Sequence, residues 1–396
     1  MIFIQLAILL ACIVIGARLG GIALGTVSGI GLAIFVFGFG MPPGSPPATV
    51  LGMILAVITA LSMMEAAGGL DFLVETAEGV LRRNPARITF LAPFVTYALI
   101  FAAGTQHVIY ALLPVIAEVA RKAGVRPERP LSMSVIAAQH GLIASPVSAV
   151  TVALVASLAG LDVGLPQIMM VTIPATLIGV FVGILSVAWK GKSLADDPEY
   201  QRRIAEGLVK PPETTPPLQG VARKKAVGSC AVFLSAVAVV VLIGLVPNLR
   251  PLYEIVVDGA TTTGRVEMGP AIMIIMLAAA GIITLAFKAS PTDAVKGSLM
   301  RGGLVAIISI LGVSWMGSSF FEANQDTIVG TISAVIGTHP WVFAFGLFVL
   351  SILLFSQAAT VVILAPIGVA LGLPAHLMVG VYPAVTGNFF LPTYGT

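Results

Sequence analysis

Four short polar stretches interrupt long apolar runs in this 396-residue chain, and they hold the side chains best suited to bind a ligand. They span residues 103–107, 144–148, 356–360 and 387–393. Their hydroxyl and amide groups donate hydrogen bonds, which are stronger when the acceptor is charged. The glycines and prolines among them interrupt helices, and a helix that begins at such a break presents free N–H groups and a positive dipole end. The chemistry indicated is reversible binding of a small anion.

The candidate ligands share a hydrogen-bonding side chain in one of these four stretches, three of which also contain a predicted helix break, at Gly104, Pro146 and Pro392. They are Thr105, Gln106, Ser145, Ser148, Ser356, Gln357, Thr360, Asn388 and Thr393. Each hydroxyl also has a competing interpretation, because Ser and Thr in membrane helices often bond the preceding turn or a neighbouring helix.

Two ionisable residues within apolar runs, Glu65 and His140, are candidates for proton transfer or gating, because such residues in a membrane are functional suspects by default. The alternatives place Glu65 near the cytoplasmic interface and His140 in helix packing. Cys12 and Cys230 lie in apolar runs and predict neither a disulfide nor a zinc site. No metal site and no cofactor is predicted.

The composition indicates a polytopic α-helical membrane protein, with the lipid bilayer as its surroundings. Of the residues, 58% are hydrophobic and 10% are charged, whereas about 25% are charged in a soluble domain. This excludes soluble, disordered and nucleic-acid-binding proteins. The apolar segments are too long and too unalternating for a β-barrel. The N-terminal apolar run has no positive region and no small-residue cleavage site, so it predicts a first span and not a removed signal peptide.

The basic residues fall in clusters between apolar runs and predict the orientation. Cytoplasmic loops carry the excess of Lys and Arg. Placing every cluster inside leaves only Arg250 and Arg265 outside, so 19 of the 21 basic residues lie on one side. The N-terminus is then outside. The charged 190–225 loop is cytoplasmic and is most simply a solvated linker; nothing in it supports the alternative, contact with a sensor protein.

The segment 88–117 predicts a re-entrant hairpin. It has no charged residue, and as one helix it would measure roughly 45 Å against a hydrocarbon core of about 30 Å. Both flanks are basic, so both are predicted inside, and its polar middle would form the tip. The alternative is two ordinary spans joined by a tight external turn. For Pro146 the alternative is a kink without function.

The second half of the chain repeats the same order of elements from the opposite side. Residues 1–189 are the first repeat, with three spans, a hairpin at about 88–120 and a broken helix at 131–158. Residues 226–396 are the second, with a hairpin at about 341–373 and a broken helix at 375–396. Inverted repeats of this kind are typical of secondary transporters. The first repeat closes with a span at 165–189 that has no counterpart before the last residue, so we expect the final helix of the second repeat to be missing.

An ordered set of short segments along nearly the whole chain resembles the Dcu family of bacterial C4-dicarboxylate transporters. The matching segments are GGLD at 68–71, RRNP at 82–85, AGT at 103–105, LPVIAEV at 113–119, ASPVS at 144–148, DDPEY at 196–200, EGLV at 206–209, GTHPW at 337–341, FSQAAT at 355–360 and LPTY at 391–394. Each is weak alone, but the ordered set is specific.

The resemblance implies a carrier of fumarate, succinate, malate and aspartate in the bacterial inner membrane, often an exchanger. It also implies kinship with the ion-transporter superfamily, whose members work by elevator-like movement of a hairpin-bearing domain. The chain departs from the family pattern at Gln106 and His107, where glycine and asparagine are usual, at Glu65, usually uncharged, and at His140, where an apolar residue is expected. We also expect the family's C-terminal helix to be missing from the chain.

No Lys or Arg lies inside a proposed span, so a dicarboxylate would be held by hydroxyls, amides and helix ends. The main alternative is a cation-coupled carrier of another organic acid, or a cation/proton antiporter, of the same superfamily. The absence of Asp and Glu near either hairpin tip makes this less favoured. An enzyme is disfavoured because there is no nucleophile elbow, HExxH motif or intramembrane aspartate pair. A channel is disfavoured because two dead-end hairpins suit alternating access better.

Overall fold

The computed structural model describes all residues except 47, 162, 193, 207, 209–218, 258–259, 325–326, 328–338, 340, 355–356 and 390–396. Helices dominate this part of the chain. They are α1 (Ile2–Leu19), α2 (Ala23–Ala33), α3 (Ala48–Ala66), α4 (Gly69–Arg83), α5 (Ile88–Ala103), α6 (Ile109–Lys122), α7 (Glu128–Ala144), α8 (Ala149–Ser157), α9 (Leu165–Val187), α10 (Pro198–Ala205), α11 (Gly220–Leu245), α12 (Met268–Phe287), α13 (Pro291–Lys296), α14 (Ser298–Ala323), α15 (Trp341–Leu354), α16 (Gln357–Ala370) and α17 (Ala375–Val381). Shorter 3₁₀ turns include Gln106–Val108 and Tyr382–Phe389.

Eight helical stretches within the described residues are long and apolar enough to cross a membrane. They include every ordinary span predicted from the sequence except 22–40, where α2 is shorter and continues into a π-helical turn at Ile34–Gly38. Many of their apolar side chains are exposed, for example Met170 and Leu285. Such surfaces are stable in lipid and not in water, so the chain is a multi-pass membrane protein.

The expectation of an all-α protein needs one correction. Leu252–Val257 and Ala260–Arg265 form an antiparallel β-hairpin, with Leu252 opposite Arg265. The local sequence favours this structure, because β-branched residues flank the dipeptide Asp258–Gly259, a strong hairpin-turn signal. The remaining elements are helical, so the fold is mostly α.

One group of helices packs into a continuous unit, which we call the frame helices: α1, α2, α3, α11, α12 and α14. Within it, α2 and α14 approach until their backbones touch. A Cβ atom added to Gly25 would overlap the carbonyl of Ile308, and one added to Gly312 would overlap the carbonyl of Gly25. Glycine is required because helices can come this close only where side chains are absent.

We therefore expect Gly25→Ala to lower the free energy of unfolding by about 1–3 kcal/mol, since the two helices must separate to admit a methyl group. Gly29→Ala is the matched control in the same helix, because a Cβ atom there has nothing within 4 Å. Thermal unfolding of the detergent-solubilised variants measures both. Equal melting temperatures for the two variants would contradict the close-packing account.

A second group, which we call the tip helices, comprises α5, α6, α7, α8, α15, α16 and α17. In it, α5 and α6 double back at Gly104. Arg82, in the last turn of α4, donates a hydrogen bond of 2.9 Å to Glu118 in the last turns of α6, so the segment that leads into α5 lies beside the end of α6. With 14 residues, α6 is roughly 21 Å long, shorter than a bilayer core of about 30 Å. Together with the preceding turn, α5 forms the 19-residue stretch Pro85–Ala103, which is one of the eight long apolar stretches.

Glu118 closes the base of the α5–α6 pair. Its carboxylate is 5% exposed and is paired with Arg82 and with Lys122. It lies outside the eight apolar stretches. Hydrogen bonds from Arg82 and Lys122 hold its pKa below the ordinary value of 4.5. The stabilisation is thus complete above pH 4.5 and is lost as the pH falls through the lower pKa of the folded state.

Glu118→Gln is expected to cost about 1–3 kcal/mol of folding stability near neutral pH, because two cations lose their shared partner. The variant should also lose less stability than the wild type when the pH is lowered below 4.5. Glu78→Gln is the control, since Glu78 meets Arg82 only at 3.9 Å and is more exposed. A parallel acid dependence for wild type and Glu118→Gln would refute this assignment.

The α15–α16 pair also folds back on itself. Phe343 at the start of α15 lies beside Gly368 near the end of α16, with 2.8 Å between the Phe343 Cζ atom and a Cβ atom built on Gly368. The tip between them contains residues 355–356, outside the described part of the chain. Both groups of helices meet where α14 packs on α16 and where α3 packs on α8.

The described part of the 190–225 linker is attached to the α6–α7 turn. Arg129 donates to the carbonyls of Lys190 and Gly191, and Arg126 pairs with Asp197 at 2.6 Å. Asp197 in turn caps α10. The first part of the linker is therefore held against the α6–α7 turn by hydrogen bonds and an ion pair, and it is not simply solvated.

Candidate functional site

A cavity of about 160 Å³ lies between the frame helices and the tip helices. Its size suits a molecule of a few carbon atoms, because cavities for drug-sized ligands measure about 300–1,000 Å³. Ile54, Val57, Ile58 and Leu61 of α3 and Leu299, Gly302, Gly303 and Ala306 of α14 form the frame side. Gly104, Thr105, Gln106, Leu142, Val147, Ala149, Val150, Val152, Gln357 and Ala358 form the tip side.

Three helical segments begin at this cavity. The 3₁₀ turn before α6 begins at Gln106, α8 begins at Ala149 and α16 begins at Gln357, and all three residues line the cavity. The first N–H groups of a helix have no partner inside the helix. Helix starts also carry partial positive charge, so a cavity lined by three of them favours an anion. None of the described lining residues is charged.

The first break runs from Ser145 to Ser148, between α7 and α8. Both serines are fully buried, and neither side chain lines the cavity. The Ser145 hydroxyl donates to the Phe101 carbonyl at 2.7 Å, and Ser148 Oγ accepts from the Thr151 N–H at 3.2 Å. Their observed contacts shape the break and cap α8. A direct contact with a ligand stays a prediction for both.

Gly104 joins this break to the tip of α5 and α6. Its φ is +66°, in the left-handed region, where a Cβ atom is unfavourable. A Cβ atom built there would lie 2.8 Å from Val147 Cγ2 and 3.3 Å from the Val147 backbone. Thr105 and Gln106 are thereby held beside the start of α8.

Gln357 brings the second tip to the same cavity. Its side chain is 3% exposed, and its Nε2 donates to Gln139 Oε1 at 3.0 Å. One amide N–H and the Oε1 atom remain for other partners, and Oε1 is buried without one. Thr360, one turn further along α16, is completely buried but does not line the cavity.

The last predicted stretch is only partly described. The backbone of Asn388 lies in the 3₁₀ turn Tyr382–Phe389, and α-helical geometry ends at Val381, before the predicted break. The candidates Ser356, Pro392 and Thr393 lie outside the described residues, as does the side chain of Asn388.

Neither of the two ionisable candidates, Glu65 and His140, is among the residues that line the cavity. Glu65 at the end of α3 accepts from Ser298 Oγ at 2.8 Å and from the Leu299 N–H at 3.4 Å, so its carboxylate sits at the start of α14. His140 Nδ1 lies 3.0 Å from the Ile136 carbonyl, and the ring packs near Gly179 of α9. A role in proton transfer or gating remains a prediction for both residues.

Three residues near the cavity were missed by sequence reasoning: Gln139, Thr151 and Tyr382. Gln139 could have been found from the sequence, because it is a lone amide side chain in an apolar helix. Thr151 lies three residues after Ser148, which is the spacing between an N-cap residue and the N–H group that it accepts from. Tyr382 precedes Pro383, which disfavours α-helix before it, but nothing local indicates its partner. Among the described residues, no group of three or more His, Cys, Asp or Glu is placed to hold a metal ion.

The fold and this cavity define a polytopic α-helical membrane protein with a cavity between two groups of helices, whose described lining residues carry no charge. A solved structure of the same overall fold is that of MtrF from Neisseria gonorrhoeae, described as illuminating a class of antimetabolite efflux pumps. The two superpose with a TM-score of 0.50 at 14% identity, over 87% of this chain and 70% of that one.

Residues 1–396 match the family described as anaerobic C4-dicarboxylate membrane transporters. The chain is 41% identical to the C4-dicarboxylate transporter DcuA of Escherichia coli K12 and 40% identical to DcuA of Wolinella succinogenes, covering all of this chain and 89% of each relative. It is 39% identical to the anaerobic C4-dicarboxylate transporter DcuB of an E. coli O6:H1 strain, over 99% of this chain and 88% of the relative.

The chain belongs to this DcuA/DcuB family, so the resemblance found in the sequence is confirmed. Its family and these relatives are transporters and not enzymes.

Proposed function

We propose that this protein carries C4-dicarboxylates such as fumarate, succinate, malate and aspartate across the bacterial inner membrane. The observation that carries the proposal is the meeting of three helix starts, at Gln106, Ala149 and Gln357, in one uncharged cavity. The relatives' names supply the chemical class of the substrate.

Both carboxylates would be held by amide and backbone N–H groups on the tip side of the cavity, from Gln106, Ala149, Val150 and Gln357. Hydrogen bonds to a charged acceptor are roughly twice as strong as neutral ones. The frame side offers only apolar surface from α3 and α14, which suits the carbon chain between the carboxylates. Without a fixed cation the anion is not trapped, so it can be released on the far side.

The proposed mechanism is elevator-like alternating access, working as exchange or uptake. Among the described lining residues, the hydrogen-bonding side chains all lie on the tip side, whereas the side chains of the frame side are apolar. Movement of the tip helices along α3 and α14 would then carry the substrate without breaking polar contacts. In this proposal α5–α6 and α15–α16 are re-entrant hairpins of two inverted repeats. The folding back of both pairs and the 14-residue length of α6, α15 and α16 support it.

The proposed orientation has the N-terminus outside and the 190–225 linker in the cytoplasm, because 19 of 21 basic residues then lie inside. Contact of the linker with a sensor protein has no supporting observation in the described residues.

The test is counterflow of labelled succinate into proteoliposomes preloaded with succinate, with fumarate, malate and aspartate as competitors. We expect saturable counterflow that fumarate inhibits. Counterflow without any imposed gradient supports exchange. Uptake that strictly requires a sodium or proton gradient would instead support the alternative of a cation-coupled carrier. Absence of competition between fumarate and succinate would end the proposal.

A further inference from the structure

The break between α7 and α8 leaves one carbonyl group without its helical partner. In a continuous helix the Ile143 carbonyl would accept from the Val147 N–H. Here the Val147 N–H faces Ser145 Oγ at 3.4 Å. Two hydroxyls donate to the Ile143 carbonyl in its place: Thr151 Oγ1 at 3.0 Å and the Tyr382 hydroxyl at 3.2 Å.

Tyr382 comes from the second half of the chain, 239 residues away, and its side chain is 1% exposed. Its hydroxyl also lies 3.3 Å from Thr151 Oγ1, and Thr151 in turn accepts from Ser148 Oγ at 3.0 Å. These contacts form one buried network, which we call the Tyr382 network: Ile143, Ser148, Thr151 and Tyr382. It spans the end of α7 and the start of α8.

The position of this network matters for an anion. A broken helix brings the negative end of one helix next to the positive end of the other. Ala149 and Val150, at the positive start of α8, line the cavity. Carbonyls at the end of α7 that lack a helical partner would repel an anion bound there. This repulsion is strong because the surroundings are apolar. Two hydroxyls on the Ile143 carbonyl offset its negative charge.

We propose that Tyr382 is a positioning residue that makes the first break selective for a doubly charged acid. It acts through the Ile143 carbonyl and Thr151, and it does not contact the substrate. This inference rests on the proposed function, since it concerns the same cavity. The expected consequence is electrostatic: losing the hydroxyl weakens binding of a dianion more than binding of a monoanion of the same shape.

The experiment compares Tyr382→Phe with wild-type protein in lipid nanodiscs, using equilibrium binding of succinate and of its monoamide, succinamate. The two ligands differ by one charge and almost not at all in size. We expect the dissociation constant of succinate to rise about tenfold and that of succinamate to rise clearly less. Thr151→Val should produce the same pattern, and the double variant should be less than additive.

The chain offers a matched control in Tyr97→Phe. The Tyr97 hydroxyl lies 2.9 Å from Thr176 Oγ1, a second buried Tyr–Thr pair, and neither residue lines the cavity. This variant should lose comparable thermal stability but keep wild-type affinity for both ligands.

Three results would overturn the inference: equal weakening for succinate and succinamate, unchanged succinate affinity in Tyr382→Phe, or the same loss of affinity in Tyr97→Phe. A wild-type protein that binds no succinate would refute the proposed function, and this inference with it. The two failures are thereby distinguished.

Discussion

Replacing both Gln106 and Gln357 with alanine is expected to weaken dicarboxylate binding by about 100-fold or more. Each amide faces the cavity from a different tip. A hydrogen bond to a charged group contributes about 1.5–3 kcal/mol, so losing two of them gives a factor of this size. Succinate counterflow should fall to the background of empty liposomes at submillimolar substrate.

The control for this double variant is Gln5→Ala. Gln5 is another buried amide, paired with Asn324 at 3.0 Å between α1 and α14, away from the cavity lining. It should lower stability without changing the apparent affinity. Near-normal counterflow in the Gln106/Gln357 variant, with correct insertion shown by fluorescence size-exclusion chromatography, would remove both amides from the site.

The second large effect is expected at Gly104. Gly104→Ala places a methyl group in the left-handed region and within 2.8 Å of Val147 Cγ2, so the first tip and the start of α8 must separate. The separation moves Thr105 and Gln106 relative to Ala149. We expect the apparent affinity for succinate to fall by about 100-fold, because two of the three helix starts lose their common geometry.

Gly124→Ala isolates the backbone contribution. Gly124 has a similar φ of +70° in the α6–α7 turn, but a Cβ atom there meets nothing within 4 Å. Both variants should show similar losses of melting temperature, and only Gly104→Ala should lose affinity. If both bind succinate like the wild type, the close approach of the first tip to α8 has no role in binding.

The membrane spans could be predicted from the sequence because a helix that crosses the hydrocarbon core must be both long and apolar. The run 268–287 matches α12 at both ends. The first polar tip could also be predicted, since Gly104 and Gln106 interrupt a long apolar run that has no charged residue. Hydropathy alone does not predict the β-hairpin, although the turn signal at Asp258–Gly259 favours it.

The roles of individual hydroxyls could not be read in the same way. Ser145 and Ser148 have the composition of ligands, but their observed bonds go to Phe101 and Thr151. A sequence shows that a hydrogen-bond donor exists, but it does not show which acceptor that donor will bond. The pairing of Gln357 with Gln139 spans 218 residues. Contacts of this kind depend on how the two halves pack, which local patterns do not encode.

We propose that a doubly charged acid is held in the cavity by helix starts and amides, without a cationic side chain. The most direct measurement is a crystal structure of the protein with bromosuccinate, in which the anomalous signal of bromine locates the ligand. We predict a bromine peak inside the cavity bounded by Gln106, Ala149 and Gln357, with no Lys or Arg side chain in contact. A ligand bound beside a Lys or Arg side chain, or anywhere outside this cavity, would contradict the account.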